Sequence, residues 1–177
     1  MMRAIVLLGL IAALAVPTPG ATQSSATDIF SGFQTKSKDP VEVSADTLEV
    51  YEQGAQRITV FSGGVTVKRG KTTLKAATIT LYSSLESTSA DAFTRIEAAG
   101  KIWVNSGDQT VTGASAVVDM KSKTITVAGG VVLTQGANIL TGTRLVVNLA
   151  TGRARVEGST RGVFSPGEAN PLQAPVN

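Results

Sequence analysis

The residues that come nearest to a known chemistry lie at positions 63–73, GGVTVKRGKTT, where Gly70, Lys71 and Thr72 read like the end of a phosphate-binding loop. Such a loop needs Gly, four residues, then Gly-Lys-Ser/Thr, set between a strand and a helix. Counting back from Gly70 puts the required glycine at Val65, and Gly64 stands one residue too early. The following Thr72, Thr73, Leu74 and Lys75 are β-branched and alternating, which suits a strand. A hairpin turn is therefore expected there, and no nucleotide site. Other chemistries fare no better. The chain has no histidine and no cysteine, so the commonest general base, the commonest metal ligand and any disulfide are excluded. Scattered serines and aspartates without a paired base make no hydrolase set, and neither cofactor nor metal is expected.

The net charge of +3 includes Arg3. Lys68, Arg69, Lys71 and Lys75 cluster, but on a turn without interleaved aromatics, as in a solvated hairpin tip. Nucleic acid is not an expected partner. At the amino terminus, Arg3 precedes an apolar run over residues 4–16, then Pro17, Pro19, Gly20 and Ala21. This pattern reads as a secretory signal peptide over residues 1–21, with cleavage anywhere in 20–26, and implies export to the periplasm. The run is shorter than the roughly 20 residues a membrane span needs; an uncleaved anchor is the alternative.

If the chain does no chemistry, its strands carry the function. Residues 22–39 are polar and read as a linker, 40–160 as one β domain, and 161–177 as a loose tail marked by Gly162, Pro166, Gly167 and Pro171. Apolar and polar residues alternate through the domain, with no helical period. Segments starting at Val43, Leu74, Val111 and Leu140 overlay one another. Apolar positions coincide at Leu48, Ile79, Ala116 and Leu145, and again at Val50, Leu81, Val118 and Val147; small residues coincide at Ala45, Ala76, Gly113 and Gly142. Turn glycines recur at Gly70, Gly107 and Gly136, and glycines inside strands at Gly64, Gly100 and Gly130. A glycine inside a strand marks a bulge or bend, so the bend repeats with the unit. The polar insert at 83–94 reads as a loop. Strands bent at one station, each with an apolar face (Val65 and Val67, Ile102 and Val104, Val131 and Leu133), must roll up to hide it. The expected architecture is all-β, an elongated jellyroll or a short β-solenoid.

The order of these motifs resembles the OstA-like family. Residues 40–50, PVEVSADTLEV, are followed by Phe61, Ser62, Gly63, Gly64 and Val65, and then by a turn from Gly70 through Leu74 and Ala76. Ala77 stands where that family often has Asp. The resemblance implies an open β-jellyroll with an apolar groove that shelters the acyl chains of lipopolysaccharide. It implies end-to-end association through sheet edges, with LptC-like and LptD-like jellyroll domains as partners and further copies of the chain itself in a head-to-tail oligomer. The groove would then draw on Val65, Val67, Leu74, Ile79, Leu81, Ile102, Val104, Val111, Val118, Val131, Leu133, Leu140, Leu145 and Val147. The edges would present Val41, Val43, Leu48 and Val50 on the first strand and Val156 on the last. Every inward residue also has a plain role as core. Trp103 points to the opposite face and invites cover from the 83–94 loop. Asp46 suits a turn or bulge that accepts backbone hydrogen bonds. Two other functions remain open: a membrane-anchored LptC-like protein of the same fold, and a β-solenoid that binds glycans through aromatic rows or carboxylates.

Overall fold

The computed structural model of the protein describes residues 29–30, 39–86 and 93–166. The expected signal segment and most of the expected linker lie outside them. The strands are β1 (Glu42–Ser44), β2 (Thr47–Gln53), β3 (Gln56–Arg69), β4 (Thr72–Ser84) and β5 (Phe93–Ser106). They continue as β6 (Gln109–Asp119), β7 (Thr124–Gln135), β8 (Asn138–Asn148), β9 (Arg153–Glu157) and β10 (Arg161–Val163). All pair antiparallel in one sheet, and β3 to β8 each pair with their neighbours in sequence. The expected all-β class and open jellyroll are what the chain forms.

The long strands are bent in the middle. Register breaks between Ser62 and Val65 on β3, between Lys75 and Thr78 on β4, and at matching places through β8. These breaks line up as one crease across the sheet, and the recurring Gly64, Gly100 and Gly130 lie on it. The crease divides the sheet into two halves. The first half runs from β1, through the halves of β3 to β8 that meet at the short turns, to β10. The second runs from β2, through the other halves, to β9. The two apolar faces turn toward each other, so a single sheet supplies both sides of its own core.

The crease needs small residues. A Cβ placed on Gly100 would lie 2.5 Å from the Cβ of Ala77 across the bend, and Gly100 holds φ +78°. The same close approach recurs for Gly63 against Asp46, Gly129 against Ala114 and Gly158 against Thr143. Asp46 thus marks the crease between β1 and β2, where its own amide donates to the carbonyl of Ser62 at 3.0 Å. Its part is the one expected of it in kind, a bend, although the backbone bond seen here is one it donates.

Several local expectations change. Residues 41–50 form two strands rather than one, because the crease falls at Ala45–Asp46 and sends β1 and β2 to different halves. The 83–94 loop is shorter at both ends, since Ser83, Ser84 and Thr94 lie in β4 and β5. Arg161, Gly162 and Val163, in the expected tail, pair with Thr141, Leu140 and Ile139 of β8. Trp103 stands on the outer face with the Lys75 ammonium 5.4 Å from its ring centroid, a cation–π contact. Half of the loop suggested as its cover, residues 87–92, lies outside those described. The Gly70–Lys71 turn is the expected hairpin, joining Arg69 to its partner Thr72.

Gly100→Ala is expected to destabilise the fold by about 2–4 kcal/mol, from left-handed backbone strain and overpacking. Adding Ala77→Gly should return the packing part and leave the strain. Gly107 gives the reference, since it holds φ +62° and a Cβ added there would meet nothing within 4 Å. Gly107→Ala should cost about 1–2 kcal/mol, the strain alone. Urea denaturation of wild type, these three variants and Ala77→Gly alone measures the cycle.

Candidate functional site

The inner rows of the two halves show how the interior is filled. On the first half, cross-strand neighbours form the row Val43, Val67, Leu74, Val104, Val111, Leu133, Leu140. On the second, they form the row Leu48, Phe61, Ile79, Ala98, Ala116, Val127, Leu145, Val156. A parallel row there holds Leu81, Ile96, Val118, Ile125 and Val147. Exposure falls along these rows: Val43 is 40% exposed, Val67 8% and Val111 0%. In the second half Leu48 is 58% exposed, while Val127 and Leu145 are at 0%. The interior is open at the β1–β2 end and packed solid toward β8.

At the open end the halves enclose a cavity of about 450 Å³. Its wall takes Val43, Val67, Leu74 and Val104 from the first half, and Phe61, Ile79, Leu81, Phe93, Ile96, Ala98, Ala116, Val118, Met120 and Ile125 from the second. Val41, Arg69 and Phe30 complete it, and among the described residues of the wall only Arg69 is charged. Its guanidinium is tied down, Nε donating to the carbonyl of Asp39 at 3.0 Å. Of the residues expected to line a groove, Val67, Leu74, Ile79, Leu81, Val104 and Val118 form this wall. Val65 and Ile102 lie buried at the crease, and Val111, Val131, Leu133, Leu140, Leu145 and Val147 fill the solid end. The structure does not bring these eight to the cavity.

Val41, Val43, Leu48 and Val50, expected at an edge, are all exposed on or beside β1 and β2. Val156 lies on β9, the edge of the second half at the far end, and packs on the core. Sequence reading missed Phe61, Phe93, Ile96, Ala98, Met120 and Ile125 as wall residues. Phe61, Ile96 and Ile125 carry a signal, since each pairs across the sheet with residues that the pattern does identify.

A second unexpected feature is the polar inner row at the free edge of the first half. Arg69, Thr72, Ser106, Gln109, Gln135 and Asn138 are successive cross-strand neighbours. Thr72, Gln109, Gln135 and Asn138 are all nearly fully buried. Thr72 Oγ1 donates to Ser106 Oγ at 3.3 Å, and Asn138 Oδ1 accepts from the Ser165 amide at 2.8 Å. The interior thus has apolar walls and a hydrogen-bonding lip along one side.

The shifted ionisable groups lie on the outer face of the second half. Burial and then Glu97 hold the Tyr82 hydroxyl above its ordinary value. Arg95, bonded to Glu97 Oε1 at 2.6 Å, is raised, and Asp119 is lowered chiefly by the Ser122 amide. Exposed pairs of this kind contribute little, about 0–1 kcal/mol each. Among the described residues no cluster of three or more acidic side chains is arranged to hold a metal ion. An apolar, nearly uncharged cavity can shelter hydrocarbon.

Residues 38–153 match the family described as LptA/(LptD N-terminal domain) LPS transport protein. An uncharacterized protein of Rhizobium meliloti (strain 1021) is 35% identical over 132 residues, 71% of this chain and 69% of that protein. The fold is similar to the crystal structure of LptH, the LptA homologous periplasmic component of the conserved lipopolysaccharide transport device from Pseudomonas aeruginosa. That likeness has a TM-score of 0.59 at 15% identity and covers 75% of this chain and 100% of LptH. By the extent of the family match and the identity to its relative, the chain belongs to the LptA/LptD amino-terminal-domain family of lipopolysaccharide-transport proteins.

Proposed function

We propose that the protein is a periplasmic carrier of lipopolysaccharide, holding acyl chains between the two halves of its sheet and bridging the inner and outer membranes as an end-to-end assembly. The observation that carries this reading is the 450 Å³ cavity with its apolar wall, open at the β1–β2 end. Its volume falls in the ordinary range for small-molecule sites, about 300–1,000 Å³, which suits part of a lipid at a time. Each buried methylene is worth about 0.8 kcal/mol, so exposing a dozen would cost on the order of ten kcal/mol. A carrier must match that everywhere without a deep trap. Short aliphatic side chains in repeating rows offer a nearly uniform surface for sliding. No cofactor enters this reading, and the energy for transport comes from outside the chain.

Assembly follows from the ends of the sheet. Among the described residues each end offers two strands paired on one side only, β1 and β2 at one, β9 and β10 at the other. Soluble proteins usually blunt such edges, yet β1 and β2 carry exposed Val43, Leu48, Val50 and Tyr51. Strand addition between unlike ends is heterologous and gives open filaments. LptC-like and LptD-like domains would use the same edges.

Leu81→Asp and Val118→Arg place a charge in the cavity wall, where it is costly unless paired. Both variants should stay folded, since neither side chain is fully buried, and should bind lipopolysaccharide at least tenfold more weakly in a pull-down or dialysis assay. Wild-type binding by folded variants would remove the cavity from this role.

Edge pairing has its own test. Along β2 successive amides face alternately toward β3 and toward the free side, so Leu48→Pro and Glu49→Pro remove one donor of each kind. The variant that loses the free-side donor should keep its melting temperature and lose the concentration-dependent growth in mass that light scattering is expected to show for the wild type. A wild type that stays monomeric at all concentrations would count against the bridge.

A further inference from the structure

The basic cluster at the turn between β3 and β4 divides by strand alternation. Lys68, Lys71 and Lys75 are exposed, whereas Arg69 is half-buried, two residues beyond Val67 and on the same inner face. Arg69 begins the polar row in which Thr72, Gln109, Gln135 and Asn138 are buried, and it is the member of that row that lines the cavity. Every other described residue of the wall is apolar, including Phe93 and Met120 on the second half.

An arginine that merely sealed an apolar wall would cover it with its stem and keep its head in water. Here the Arg69 Nε donates to the carbonyl of Asp39 at 3.0 Å, which sets the plane of the guanidinium at the edge of the cavity. The Asp39 carboxylate stands beside Gly70 on the adjoining turn, and Glu42 pairs in register with Lys68. Against these two carboxylates stand Lys68, Arg69 and Lys71, so this edge keeps a positive surplus.

We propose that Arg69 is the head-group contact of the cavity and that the ligand is an anionic amphiphile, with a carboxylate or phosphate on the guanidinium and a hydrocarbon tail between the walls. This rests on the reading of the cavity as an acyl-chain site and names which end of the molecule stays outside. A guanidinium presents a planar fork that meets a carboxylate or phosphate through two bonds at once. Such charge-assisted bonds strengthen where apolar surface keeps water back, and the surplus of positive charge draws an anion toward the edge. A neutral alcohol of equal chain length gains the same burial without the ionic contact. The walls therefore respond to the tail, and Arg69 to the head.

Equilibrium dialysis of the full chain with laurate and with 1-dodecanol, probes of equal chain length, separates the two contributions. Wild type should bind laurate at least about tenfold more tightly than the alcohol, the scale of one hydrogen-bonded ionic contact. Arg69→Gln should abolish that preference by weakening laurate and leaving the alcohol within about twofold. Arg69→Lys keeps the charge without the fork and should retain part of the preference. Inorganic phosphate at millimolar concentration should displace little laurate; full displacement would make the edge a simple anion site and overturn the proposal. A wild type that binds both probes equally overturns it without any variant, so the test survives an Arg69→Gln chain that fails to fold. If Arg69→Gln weakens both probes alike, Arg69 only fastens the Asp39 segment: the proposal falls and the acyl-chain reading stands. If wild type binds neither probe, the acyl-chain reading falls with it.

Discussion

A sheet with one apolar face has to cover it, and among the described residues this sheet is covered mainly by itself, with Ile29 and Phe30 beside it. The described residues contain no α-helix and no second sheet to lie across the inner rows, so the strands must double back along their own length. That is possible only where two backbones can approach at the bend. The small residues set against Gly63, Gly100, Gly129 and Gly158 therefore fix the geometry of the whole domain. They determine that β1 and β2 part company, that β9 and β10 do likewise, and that the interior is a trough between two walls. In a sandwich of separate sheets the interlayer distance is set by side chains filling the gap. Here it is pinned at one side by the crease and left to the contents at the other, which is why a fully formed fold can still contain empty apolar space.

The chemistry of the interior follows from that arrangement. Residues near the crease are held tightly whatever else happens, as the burial of Val65, Ile102 and Val131 illustrates. Residues farther out face a partner wall whose distance is less constrained, and Leu81, Ile96 and Val118 are only partly covered. The first half ends in buried hydroxyls and amides, Thr72, Gln109, Gln135 and Asn138, whereas the cavity wall of the second half runs on past Leu81, Ile96 and Val118 to Phe93 and Met120.

Much of this is legible in the sequence, and the parts that are not share a cause. Alternation identifies which face a residue is on, because the side-chain period in a strand is two. Repetition of Gly64, Gly100 and Gly130 reveals that the strands bend together. Neither signal carries the distance between facing walls, so Leu81 and Leu145, both inward by pattern, cannot be told apart as cavity wall and solid core. The split of the first strand at Asp46 is hidden because Ser44, Ala45 and Asp46 read as ordinary strand or turn residues. Ile29 and Phe30 leave no periodic trace at all. Two apolar residues in a polar stretch have no pattern, and their burial depends wholly on a tertiary space made by distant strands.

The order of pairing has a consequence for the molecule's size. From β3 to β8 every strand bonds to its neighbours in sequence, so the sheet is a chain of local units in the manner of solenoid repeats, with stability that accrues unit by unit. Inserting or deleting one up-and-down pair would disturb no pairing except at the splice, and both terminal strands would keep their form. The length of the trough is therefore a quantity that gene duplication can adjust in steps of about 9.6 Å, two interstrand spacings. Trough length can thus change while the terminal strands stay the same.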